Sequence, residues 1–182
     1  MRWFSFAIVA VICLTLHTTL MQRLAVWGAW PDAILITVVF FAMHGRKWDA
    51  VMAGWTLGLL ADLASMERFG LLSLTYALVA LCVQSSRDWM FRYHPLTHFS
   101  VTFVAGIAIH GIFWMYATMM TASAYAQPWS SVGGPVGIAL YSAICAPPVH
   151  ALLMRLLRWL GLDAPRYSHA RLRRIGSRST VM

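Results

Sequence analysis

Charge is what this chain has least of. Only 11% of its 182 residues are Asp, Glu, Lys or Arg, where a soluble domain carries about a quarter, so a water-facing surface all round is excluded. Base outnumbers acid by fourteen to six, but seven of the fourteen basic residues stand at or beyond Arg155. The formal charge of +8 therefore does not describe a basic surface, and nucleic acid is not an expected partner. Cys13, Cys82 and Cys145 stand singly in apolar runs, which excludes a disulfide framework and CxxC chemistry. We read them as small packing residues. The chain also lacks a phosphate-binding loop, a nucleophile elbow, a metalloprotease signature and a solenoid repeat. Those absences leave no catalytic, cofactor or metal site to nominate, and enzyme is the weakest class.

What the chain has is apolar residues, 60% of the whole, which makes it a membrane protein. Its N-terminus, "MRWFSFAIVAVICLTLHTTL", resembles a signal peptide in outline. The apolar run is too long for an h-region and no A-x-A-like site follows, so an uncleaved first membrane helix is expected. Hydropathy and breakers place six apolar segments, at 3–20, 31–43, 49–65, 69–85, 98–122 and 135–157. About 20 residues cross a hydrocarbon core, so the second is short and must recruit Trp27 and Trp30 or sit where the bilayer thins. With the N-terminus inside, the cytoplasmic face collects twelve of the basic residues, and the outer face keeps only Arg23 and Arg68. This positive-inside bias places both termini in the cytoplasm. The fold class is all-α: one six-helix transmembrane domain over 1–158, followed by a basic cytoplasmic tail at 159–182 drawn to anionic lipid. Trp3, Trp27, Trp30, Trp48, Trp89, Trp129 and Trp159 cluster near segment ends, as an aromatic belt does.

The few polar residues inside these segments carry the information. Pro31 suits a first helical turn and Asp32 beside it faces the positive end of the helix dipole. Asp49 plays a similar part in the third segment. Pro147 and Pro148 should kink or split the sixth. Ala50, Gly54, Gly58 and Asp62 recur every four residues and so share one helix face. Three small residues in a row let a neighbouring helix approach closely, the main association device in lipid. Asp62 continues that stripe and should point into a helix–helix seam.

Asp62 has two readings at this stage. It pins the end of its helix through the backbone of the 66–70 turn, or it belongs to a partner interface. A paired-carboxylate enzyme of Asp32 and Asp62 lacks any further nucleophile or base. Both acids approach the same leaflet, where Arg23 or Arg68 is expected within salt-bridge reach of one of them. Among the histidines, His94 and His98 have ligand spacing, but Pro95 between them breaks it and makes them interfacial loop residues. His110 and His150 are packing histidines that meet in the bundle. His17 closes the first segment with hydroxyls as partners.

The run "WPDAILITVVFFAMHGRKWDAVMAGWTLGLLADLASMERFGLLSLTYAL" resembles the bacterial rod shape-determining membrane protein MreD. The resemblance lies in P-D at Pro31 and Asp32, in G-x-x-x-G-x-x-x-D at Gly54, Gly58 and Asp62, and in G-x-x-x-L-x-Y at Gly70, Leu74 and Tyr76. It covers about a quarter of the chain. It implies a non-enzymatic inner-membrane scaffold of the cell-elongation complex, beside MreC and linking the MreB filament to cell-wall synthases. It also implies an architecture similar to the substrate-binding subunits of energy-coupling-factor vitamin transporters. Such a transporter subunit is the alternative function, with Asp32, Asp62, His110 and Tyr116 as pocket candidates. The candidate partner-contact residues are Ala50, Gly54, Gly58, Asp62, Asp32 and Gly70; membrane lipid and other membrane proteins are the partners, and no cofactor is expected. Gly58→Leu should disrupt assembly with a partner more than Gly106→Leu, as read by co-purification.

Overall fold

The computed structural model describes residues 3–21, 23–26, 29–65, 70–86, 95–120 and 134–159. It holds six α-helices: α1 (Trp3–Leu16), α2 (Ala33–His44), α3 (Lys47–Ser65), α4 (Leu71–Ser86), α5 (Pro95–Met120) and α6 (Pro135–Trp159). The all-helical expectation and the six segments are reproduced. Two helices, over Leu96–Tyr116 and Pro135–Leu156, are long and apolar enough to cross a membrane, and Phe6–Thr19, Ala33–His44 and Leu71–Ser86 are shorter apolar helices. The tail at 160–182 lies outside the described residues.

The short second segment becomes the axis of the bundle. Every residue of α2 from Ala33 to Met43 is buried, and α1, α3, α4, α5 and α6 all pack on it. A helix that is apolar all round needs such complete cover. Twelve residues rise only about 18 Å, and α2 meets protein on every side. Trp30 is exposed, and Trp27 lies outside the described residues.

Named pairs set the helix directions. Phe6 meets Phe41 edge to face while Cys13 Sγ lies 3.3 Å from Thr37 Oγ1, so α1 and α2 are antiparallel. Asp32 reaches His110 and His44 stacks on His98, so α2 and α5 are antiparallel too. Asp32 bonds Ser142 and Ile36 bonds His150, which makes α6 run parallel to α2.

Local chemistry differs from expectation at three points. At the end of α1 the helix widens into a π-type turn over His17–Met21. There Thr15, Thr18 and Thr19 donate to carbonyls of their own helix, so these hydroxyls are spent on the backbone and do not serve His17. Pro95 opens α5 instead of breaking the chain; a first-turn proline has no N–H to lose. His98 is consequently helical and not a loop residue, while His94 lies outside the described residues. Pro147 and Pro148 each remove a ladder donor, yet α6 runs unbroken through both. The turn beyond them is held from outside, where His150 bonds the carbonyl of Ile36 on α2. Cys13 packs in the core as expected, whereas Cys82 is exposed.

The small-residue stripe does turn toward protein. A Cβ on Gly58 would stand 2.5 Å from Ser73 Cα and 2.8 Å from the Leu72 carbonyl oxygen. One on Gly54 would meet the Tyr76 carbonyl oxygen at 2.9 Å and Ala80 Cβ at 3.0 Å. The helix that fills the seam is α4 of the same chain, running antiparallel to α3. Gly106 is not the neutral position that a comparison with Gly58 requires. Its added Cβ would meet Ala139 Cβ at 2.9 Å and Leu35 Cδ2 at 3.1 Å, so it closes the α5–α6 crossing in the same way. Gly111 has open space and is the proper control. Gly58→Ala should destabilise the folded chain by about 1–3 kcal/mol through overpacking against backbone. Gly111→Ala should leave it unchanged or slightly more stable; thermal unfolding in detergent micelles reads both.

Candidate functional site

Two carboxylates organise one end of the bundle. Asp32 is only 2% exposed and caps α2: its Oδ1 accepts the backbone N–H groups of Ile34 at 2.9 Å and Leu35 at 3.0 Å. An aspartate at an N-cap satisfies donors that the helix cannot, and its charge faces the positive dipole end. Its other oxygen accepts the Tyr76 hydroxyl of α4 at 2.7 Å. Its own backbone N–H donates to Ser142 Oγ of α6 at 2.8 Å. His110 Nε2 of α5 lies 3.4 Å from Oδ2, and His17 Nδ1, in the widened turn after α1, lies 3.6 Å from Oδ1. One residue thus ties the start of α2 to the widened turn after α1 and to α4, α5 and α6.

The two histidines sit at charge-pairing range and beyond hydrogen-bond length. Neither nitrogen has another hydrogen-bond partner among the described residues. Their position is explained by the carboxylate, since a buried negative charge draws the nearest groups able to carry a proton. Among the described residues, no cluster of three or more His, Cys, Asp or Glu has metal-holding geometry.

Asp62, 1% exposed, serves α4 from outside. Its Oδ2 accepts the N–H groups of Gly70 and Ser73, both at 3.0 Å, and its Oδ1 accepts that of Leu72 at 3.1 Å. This is an N-terminal cap supplied by a neighbouring helix. It answers why an acid ends the small-residue stripe: α3 and α4 pack too closely for a long side chain, and α4 starts with donors that need an acceptor. Gly70, at φ +99°, makes the turn into α4 in a conformation that favours glycine. The end-pinning reading of Asp62 therefore describes its geometry, with the hydrogen bonds extending into the first turn of α4.

The sequence candidates thus fall into three groups. Ala50, Gly54, Gly58 and Asp62 are buried along the α3–α4 seam, and Gly70 sits at its tip with open space where a Cβ would be. Asp32 lies in the cluster that crosses the bundle. His110 and His150 do not meet: His110 faces Asp32, while His150 pairs with His98. Among the described residues the basic side chains within 4 Å of Asp32 are histidines, and Arg23 is exposed; Arg68 lies outside the described residues. Tyr76 and Ser142 are the members of the cluster that sequence reasoning left unassigned. The helical phase of Tyr76 relative to Gly70 was the available signal for the first, and nothing local marks Ser142.

A family model for rod shape-determining protein MreD matches residues 1–156. The chain belongs to the MreD family. It is accordingly a rod shape-determining membrane protein, and the match reaches through α5 and most of α6, well beyond the stretch in which the sequence carries the resemblance. No curated relative and no solved structure matches the chain, so the expected likeness to vitamin-transporter subunits finds no support. In this MreD-family chain the P-D pair is the cap of the central helix, and the G-x-x-x-G-x-x-x-D motif is the seam and cap of α4. Tyr76→Phe should cost about 1.5–3 kcal/mol by removing a hydrogen bond to a buried charged group. Asp62→Ala should cost about 0.5–2 kcal/mol as a lost cap. Thermal unfolding of the full chain in detergent measures both.

Proposed function

We propose that the chain is a non-enzymatic scaffold of the cell-elongation complex. It crosses the inner membrane six times, with both termini cytoplasmic, and holds a single-span MreC-like partner and through it the cell-wall synthases. The single observation that carries this reading is the spending of the acidic and seam-glycine motif residues on internal order. Asp32 and Asp62 cap helices, Gly54 and Gly58 close a crossing, and no motif group is left poised for chemistry on a substrate. Family membership supplies the process, and the loop-charge asymmetry supports the orientation.

The α3–α4 hairpin is the element we assign to the partner. Its inner side is the Ala50–Gly54–Gly58–Asp62 seam, which fixes the two helices as one rigid body. Its outer side presents Trp55 and Leu63 from α3 and Leu74 and Leu78 from α4, all exposed large apolar residues. In a bilayer such a surface offers van der Waals packing to a single helix. The seam would act on the partner indirectly, by setting the angle at which those side chains stand.

Co-expression with the cell's own single-span shape-determining protein tests the reading. Wild type and Gly111→Leu should retain the partner through purification, and Gly58→Leu should lose most of it. Equal recovery with all three would remove the hairpin from the interface. A reporter that is active only in the cytoplasm, fused at the C-terminus, should be active; silence would overturn the topology.

A further inference from the structure

Thr102 of α5 is fully buried, and its Oγ1 hydrogen bonds to no group among the described residues. Other hydroxyls of this bundle behave differently. Thr15, Thr37, Thr56 and Thr75 each donate to the carbonyl four residues back on their own helix, a bond always within reach of a helical threonine. Thr102 does not make it. A hydroxyl closed off from solvent must be hydrogen-bonded or it costs stability, so its acceptor has to be sought across the helix interface.

Contacts on either side fix what Thr102 faces. One turn further along α5, a Cβ on Gly106 would stand 2.9 Å from Ala139 Cβ of α6. One turn earlier, His98 meets His150. Residues 98, 102 and 106 share a helix face and α5 runs antiparallel to α6, so the stretch opposite Thr102 lies between Ala139 and His150. Ala143 and Ala146 stand on the inward face of that stretch, both fully buried. Methyl groups accept no hydrogen bond, and Ser142 is turned to the backbone of Asp32. The polar group left to α6 there is its backbone. In an α-helix the carbonyl of Ala143 would accept the N–H of residue 147, and that residue is Pro147, which has none. Pro148 deprives Ile144 in the same way, but Ile144 is exposed and lies on the outer side. A buried donor without an acceptor therefore faces a buried carbonyl without its ladder donor.

We infer that a single water molecule is built into the α5–α6 crossing, accepting the Thr102 hydroxyl proton and donating to the Ala143 carbonyl oxygen. The two groups do not bond directly, and water is the ligand that can accept from one and donate to the other in a buried polar gap. Inside a membrane a helical proline is tolerated when a neighbouring helix, a hydroxyl side chain or an ordered water satisfies the carbonyl it frees. Here Thr102 and the water together do so from α5. The bridge accounts for the unbroken run of α6 through both prolines. It is independent of the partner assigned above, since it concerns a different helix pair.

Thr102→Val and Pro147→Ala, alone and together, test the site by thermal unfolding of the full chain in detergent micelles. Valine keeps the shape of threonine but cannot hold the water. In the wild-type background it should lower the melting temperature by a few degrees, because the water and the carbonyl behind it lose their partner. Pro147→Ala returns an N–H to the Ala143 carbonyl, and in that background the valine should leave the melting temperature unchanged or raise it. A valine that leaves the wild-type chain unchanged or stabilises it would show that the hydroxyl holds nothing. An equal loss in both backgrounds would show that it does not act through Ala143. Either result overturns the site. A crystallographic map that resolves waters gives a second reading and needs no variant. It should show one water within about 3.2 Å of both Thr102 Oγ1 and the Ala143 carbonyl oxygen; a Thr102 hydroxyl turned back onto the His98 carbonyl, with no water beside it, would overturn the site equally.

Discussion

A carboxylate in an apolar bundle is tolerated only where the surrounding groups replace the water it has lost. Asp32 meets that condition with two backbone donors, a phenol and two imidazoles. Because each donor comes from a fixed place on a different helix, satisfying the charge also fixes the helices relative to one another. Hydrophobic burial is non-directional and would hold these apolar cylinders together in many rotations. The acid selects one. The depth of α2 at the centre of the fold follows from this, since its capping residue must sit within reach of groups on four other segments.

The α3–α4 pair shows the complementary device. Small side chains bring two backbones into contact at Gly54 and Gly58, where packing supplies attraction that lipid does not. The residue before α4 is Gly70, at φ +99°, which has no side chain to cap the helix with. Asp62, one turn beyond Gly58, reaches across and supplies the acceptors. Glycine spacing and acid are therefore one mechanical unit, and a family motif that looks like two features in the sequence is a single joint in three dimensions.

These joints bear on what a rod shape-determining membrane protein of this family does. The buried acids Asp32 and Asp62 and the phenol of Tyr76 are turned inward and hold helices. Capping and close crossing meet at the Asp32 and Asp62 end of the bundle.

Much of this was written in the chain. Apolar content and breakers placed the helices, Pro31 with Asp32 marked the start of α2, and the four-residue spacing of Ala50, Gly54, Gly58 and Asp62 set them on one face that turns to protein. Those features are local, because helix phase and capping depend on neighbours a few residues away. Which helix fills the seam, that α2 is the axis, that Tyr76 and Ser142 serve Asp32, and that His98 and not His110 meets His150 were decided only by tertiary structure. These are contacts between residues that stand on different helices, up to 114 positions apart, and no periodicity in a helix says which of several similar apolar faces it will meet.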